Sequence, residues 1–315
     1  MRAKWLLSVL VVLVRNSAGL SALVVIALAA RGALGDTFLQ GLAGSTGLQN
    51  EGSQGPSPAN DRFDGGSNFI GQPYDWSGVG QSNGGSWATM ISPTYFVSAT
   101  HDHPTPGQTV TFYTGNSYSS TSYTYTVSST YSQIDGSDLY LGELTTPVAA
   151  SIATYPVLDL PNESNYLGLT IWTYGIPNRV GMNNISDIAD LNFYGEDTQL
   201  MSFPYYADGG QQGANESYLE VGDSGGPSFA VVDGSLALLG THFVNSGPVY
   251  DGAVSGDSFI PFYISQLDAN MVGASVTTVV PEPASLLLLG TGAACFLFYS
   301  WRRRGAKAGG PGVEH

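Results

Sequence analysis

The stretch Val221-Gly222-Asp223-Ser224-Gly225-Gly226-Pro227 sets a serine among glycines. Glycine reaches backbone conformations that side chains resist, so such a serine can sit on a tight turn with its own N–H facing outward. The N–H groups of Gly222 and Ser224 would then form a pair of donors for a developing oxyanion. A serine hydroxyl stays a poor nucleophile until a base takes its proton. The chain has four histidines: His101, His103, His242 and His315. His101 closes the segment Ile91-Ser92-Pro93-Thr94-Tyr95-Phe96-Val97-Ser98-Ala99-Thr100-His101. A strand that delivers a histidine at its end suits a general base, with His103 as the neighbouring candidate. A carboxylate must then fix the imidazole tautomer. Asp138 opens the apolar segment Leu139-Tyr140-Leu141-Gly142-Glu143-Leu144, where its carboxylate could be buried against the histidine. Asp135, ahead of the Gly136-Ser137 turn, is the alternative.

The elements that must position these groups read as short strands. Residues 86–91, 95–99, 109–113, 123–127, 169–175 and 235–240 are rich in Thr, Tyr, Val, Phe and Leu. Gly, Asn, Ser and Pro separate them, the pattern of an all-β sandwich or barrel. Inside the body, only residues 260–269 hint at helical periodicity, and no repeat of 20–50 residues is present.

Together these motifs resemble those of the chymotrypsin-like (trypsin-like) serine proteases, over roughly residues 75–268. Gly222-Asp223-Ser224-Gly225-Gly226-Pro227 matches the family's nucleophile motif in full. Residues 91–101 match its histidine motif well, and Ser137-Asp138-Leu139-Tyr140-Leu141 its aspartate strand more loosely. The chain order is His, Asp, Ser, with 37 residues from His101 to Asp138 and 86 from Asp138 to Ser224. The resemblance implies an all-β fold of two antiparallel six-stranded β-barrels, the first over about 75–155 and the second over about 165–268. It implies peptide-bond hydrolysis in the cleft between them by His101, Asp138 and Ser224, with Gly222 and Ser224 as the oxyanion hole. The substrate is then a protein or peptide, and neither a metal nor an organic cofactor is needed.

The departures matter. Asp102 stands where the family often has a cysteine, and no Ile-Val-Gly-Gly terminus is available to pair with Asp223. Phe69-Ile70-Gly71-Gln72 is the nearest and a poor match, so Asp223 is expected to find another partner. Tyr218 occupies the position of the S1 floor, so a preference for Lys or Arg is not supported. Gly240-Thr241-His242-Phe243 resembles the stretch where glutamate-specific members place a histidine. His242 is therefore either a binder of an acidic P1 side chain or a buried, hydrogen-bonded core histidine. An esterase would use the same triad. A catalytically silent surface or matrix protein, associated with exopolysaccharide, would use the same scaffold.

Composition narrows the setting. The 315 residues are 43% apolar, ordinary for a folded domain. The single cysteine, Cys295, rules out an internal disulfide framework and a cysteine-based zinc site. Residues 36–280 hold 23 of the 25 acidic residues but only Arg62 and Arg179 among the basic ones. A body so acidic repels phosphate backbones, which argues against nucleic-acid binding. No acidic loop has full calcium-ligand spacing.

Most of the basic residues lie at the two ends. Arg2 and Lys4 precede apolar runs reaching Ala30, and Ala33-Leu34-Gly35 offers a signal-peptidase site. Residues 1–35 therefore read as a signal peptide, with a retained anchor as the alternative. Residues 36–74 read as a Gly/Ser/Pro-rich leader, 75–270 as the domain and 271–280 as a linker. At the other end stand Pro281-Glu282-Pro283, an apolar stretch at 286–301, and Arg302-Arg303-Arg304. This order resembles the PEP-CTERM sorting signal, over residues 281–315, with a single hydrophobic helix. The resemblance implies processing by an exosortase after transient anchoring in the inner membrane, and a final place at the cell surface or in the extracellular matrix.

Overall fold

The structure, a computed structural model, describes residues 58–281 apart from 194, 207–209 and 248–250, together with three strands further upstream. The chain divides into two compact units, Met1–Val279 and Val280–His315. Of the second, only Val280 and Pro281 are among the described residues. The expected helix at 286–301, Glu282, Pro283 and the Arg302-Arg303-Arg304 cluster lie outside them. No helix among the described residues is long and apolar enough to cross a membrane. Within the segment read as a signal peptide, β1 (Val9–Arg15) and β2 (Ser21–Ala27) pair antiparallel. A third upstream strand is β3 (Phe38–Leu39).

The first half of the domain is a closed barrel. Its strands are β4 (Val79–Ser82), β5 (Trp87–Met90), β6 (Tyr95–Ala99), β7 (Thr109–Tyr113), β8 (Ser122–Gln133) and β9 (Leu139–Leu144). They close in the order β4-β5-β6-β9-β8-β7. The period-2 alternation of a strand sends neighbouring side chains to opposite faces, and both faces of β5, β6 and most of β9 are buried, whereas β8 is largely exposed. Phe96, Tyr140, Leu144, Ala88 and Met90 fill the barrel with Val110 and Phe112. Tyr95, Val97, Leu139, Leu141 and Trp87 face the other way, into the junction with the second half.

The second half holds β10 (Val157–Leu158), β11 (Thr170–Gly175), β12 (Arg179–Asn184), β13 (Asp187–Phe193) and β14 (Glu196–Pro204). It continues with β15 (Ser217–Tyr218), β16 (Pro227–Val232), β17 (Ser235–Asn245), β18 (Val254–Phe259), α1 (Ile264–Asn270) and β19 (Thr278–Val279). A second closed barrel was expected here; the structure instead has an open nine-stranded sheet. Its main path runs β12-β11-β16-β17-β18-β14-β13, and β10 lies parallel to both β17 and β19. The physical reason lies at the two ends of the path. β12 and β13 are consecutive, joined by Ile185-Ser186, and turn a corner where closure would need a ladder. Side-chain links stand there instead: Asn183 Nδ2 donates to the carbonyls of Pro204 (3.0 Å) and Ser217 (2.9 Å). β15 pairs with β3 outside this sheet.

The junction between barrel and sheet contains the largest apolar cluster. Trp76 lies at its centre, 5.5 Å from the Tyr174 ring, 5.8 Å from Phe229 and 6.3 Å from Phe69, with its indole N–H on the Gly71 carbonyl. Packing therefore begins before residue 75. Residues 58–74, read as part of the leader, lie against the domain, with Phe69 and Arg62 buried. Arg62 donates to the carbonyls of Tyr113 (2.8 Å) and Gly115 (3.3 Å), to Asn116 Oδ1 (3.2 Å) and to the Tyr174 hydroxyl (3.4 Å). One guanidinium thus joins the β7–β8 hairpin of the barrel to β11 of the sheet.

Candidate active site

Two barrel strands carry the histidine and the aspartate to one place. β6 and β9 pair antiparallel with Ala99 opposite Leu139, so the residues just beyond them meet. The Thr100 amide donates to the Asp138 carbonyl at 2.7 Å and extends that ladder by one bond. His101 follows directly. Asp138 is wholly buried, and its Oδ1 accepts the His101 backbone N–H at 3.0 Å. His101 Nδ1 lies 2.9 Å from both Asp138 oxygens. A carboxylate can only accept there, so Nδ1 carries the proton and Nε2 faces away with a free lone pair. Nε2 is 2.8 Å from Ser224 Oγ.

Ser224 comes from the sheet, on the turn before β16. Gly222 has φ +105° and Gly225 φ +77°, a region that L side chains rarely enter. The turn is clamped by β17: Gly225 N–H donates to the His242 carbonyl (2.9 Å) and His242 N–H to the Gly226 carbonyl (2.8 Å). The Trp87 indole N–H reaches across from the barrel to the Gly222 carbonyl at 3.2 Å. Asp223 is wholly buried and takes two backbone amides, Ile176 on Oδ1 (2.8 Å) and Glu220 on Oδ2 (2.9 Å). The sequence left its partner open; these amides hold it.

The other sequence candidates fall elsewhere. His103 Nδ1 donates to the Thr100 carbonyl at 2.7 Å, and the ring stacks on Tyr140 at 3.9 Å. Asp135 is exposed on the turn, at φ +51°. His242 is 1% exposed, with Nδ1 2.8 Å from Asp257 Oδ1 and Nε2 3.2 Å from the Tyr174 carbonyl. Both neighbours accept, so both ring nitrogens donate and the site favours an imidazolium. Burial lowers the His242 pKa, but the charge and hydrogen bond of Asp257 outweigh it, and the net shift is upward. No ring nitrogen remains for a substrate carboxylate. Tyr218 is buried, with its hydroxyl donating to the Gly247 carbonyl at 2.6 Å. Pro281 is the last described residue, and the rest of the tail motif lies outside.

Several neighbours were not among the candidate site residues. Thr198 Oγ1 accepts the Asp138 backbone N–H at 2.9 Å. The Phe243 ring stands 5.8 Å from the His101 ring. Ser86 Oγ holds Asp102 Oδ1 at 2.6 Å. Glu196, at the start of β14, lies beside Asp138. Phe243 belongs to the Gly240-Thr241-His242-Phe243 stretch read for its histidine, whereas Thr198, Ser86 and Glu196 follow no local motif. For His101, desolvation lowers the pKa, but the hydrogen bond and charge of Asp138 overcome it, with Asp102 and Glu196 adding to the rise. Among the described residues, no group of three or more His, Cys, Asp or Glu could hold a metal ion.

Three comparisons bear on this arrangement. Residues 279–304 match the PEP-CTERM protein-sorting motif. That motif implies export, membrane-associated sorting and processing by an exosortase. No match was found among curated proteins. One similar solved structure is the NS6 protease from murine norovirus 1, at 15% identity, covering 58% of this chain and 90% of that one, with a TM-score of 0.38. A likeness at that level carries no argument about this chain.

Proposed function

We propose that this protein is an exported serine endopeptidase of the chymotrypsin-like type. One observation carries the reading: His101 bridges Asp138 at 2.9 Å and Ser224 at 2.8 Å, in that family's chain order. Ser224 Oγ attacks the peptide carbonyl carbon and passes its proton to His101 Nε2. Asp138 orients the ring and stabilises the imidazolium. The N–H groups of Gly222 and Ser224 hold the oxyanion. As the tetrahedral adduct collapses, the C–N bond breaks, and His101 returns the proton to the departing amine. Water then enters by the same route, with His101 as base, and cleaves the acyl-enzyme to free the acid and Ser224.

Two features support activity without cleavage of an activating terminus. The Asp223 carboxylate is already held by backbone amides. Both glycines that shape the turn already have positive φ. A fluorophosphonate probe tests the reading. The protein is expected to be labelled at Ser224 without prior proteolysis, and Ser224→Ala to be unlabelled, with peptide cleavage reduced by about 10⁴-fold or more. An unlabelled, folded wild-type protein would refute it.

A further inference from the structure

The β13–β14 hairpin brings a second carboxyl group to the triad. Two bonds hold it over the turn before Asp138: Asp197 N–H donates to the Gly136 carbonyl (3.2 Å), and Asp138 N–H donates to Thr198 Oγ1 (2.9 Å). Glu196, one residue before Asp197, comes within hydrogen-bonding reach of the Asp138 side chain. Gln133 on β8 donates to the Ser137 carbonyl at 2.9 Å and makes a longer contact, 3.5 Å, with Glu196 Oε1. The Asp197 carboxylate turns away to Asn192 across the hairpin. The charged groups facing Glu196 are therefore Asp138 and His101, and His101 in turn feels Asp102.

Two carboxylates in contact cannot both ionise cheaply, so one proton belongs between them. Asp138 is wholly buried and takes two N–H donors from His101, which favour its charged form. The proton therefore sits on Glu196, which is only partly buried. Burial first, then the charge and hydrogen bond of Asp138, lift Glu196 to about 7, with the His101 charge pulling the other way.

We propose that Glu196 is a positioning residue of the triad: its carboxyl proton bonds the Asp138 carboxylate and holds that side chain against His101, and its ionisation adds a charge that makes His101 retain its own proton. This rests on the endopeptidase reading, which assigns the triad its roles. It also gives the site a second proton equilibrium near neutrality, one residue removed from the reacting atoms.

The test compares wild type, Glu196→Gln and Glu196→Ala in the intact protein. Two readouts are used: the NMR titration of the His101 ring, and the fluorophosphonate labelling rate of Ser224 against pH. Gln keeps a donor for Asp138 and removes the charge. It is expected to lower the His101 midpoint by about one unit and to raise labelling several-fold over wild type at about pH 8, where wild-type Glu196 is ionised, with little change at about pH 6. Ala removes donor and charge together, and should label about tenfold more slowly than Gln at every pH. His101 titrations that superimpose in all three proteins, or Gln and Ala variants that label alike, overturn the proposal. If wild-type Ser224 is never labelled, the endopeptidase reading falls, while the His101 titration still decides whether Glu196 acts on the ring.

Discussion

A general base must be neutral to accept a proton, yet the surroundings of His101 favour its charged form. Desolvation opposes that charge, but the bond and charge of Asp138 outweigh it. The Ser224 labelling rate should therefore rise with pH through a midpoint above the ordinary value of 6.5. A rate that is flat from about pH 5 to 8 would remove His101 from the mechanism. Asp138→Asn keeps the shape but offers a donor where His101 needs an acceptor. It is expected to slow turnover by about 10⁴-fold. His242 answers to a different measurement. His242→Leu leaves Asp257 buried without its partner and should cost about 3–5 kcal/mol in denaturant unfolding. A binder of acidic side chains would instead show a changed KM for acidic peptides at nearly unchanged stability.

At the scale of the elements, the nucleophile turn has little room to vary. A Cβ at Gly225 would press on Ser98 Oγ and lie 3.0 Å from the Ala99 nitrogen, at φ +77°. Gly225→Ala should therefore lose labelling by about 10²-fold and unfold about 2 kcal/mol more easily, as paired labelling and denaturant curves would show. Such turns were readable in the sequence because their chemistry is local: Gly222 through Pro227 are contiguous. The barrel strands were readable too. β6 and β7 run over the residues where Tyr, Phe, Val and Thr cluster between turn formers. β13 and β14 were not picked out, because Asp187, Asp190, Asn192, Glu196 and Asp197 dilute the strand signal. Glu196 went unseen with them. The second barrel was expected from family order alone. Whether a sheet closes depends on what its edge strands do at one corner, and here Asn183 fills that corner with side-chain bonds.

Over the whole molecule, acidity and the two raised histidines pull in one direction. His242 and His101 have raised pKa values in the fold, so their contribution is fully present below about 6.5 and fades as pH rises through the folded values. Glu196 behaves alike: lifted to about 7, it holds its proton more tightly folded than unfolded. Self-repulsion among the carboxylates also grows with pH. The thermal midpoint should therefore fall between about pH 5 and 8, and added salt should recover part of the loss. A midpoint that rises over that range would contradict these shifts.

The buried Arg62 guanidinium sets a boundary that concerns maturation. It reaches the barrel hairpin and the sheet at once, from a segment that precedes both. A cut on its C-terminal side would withdraw a buried cation that links the two halves and leave the Tyr113 and Gly115 carbonyls without that donor. Trimming of the exported chain therefore has a limit, and the first residue of the working protein lies upstream of Arg62. Amino-terminal sequencing of the secreted form would read that limit directly.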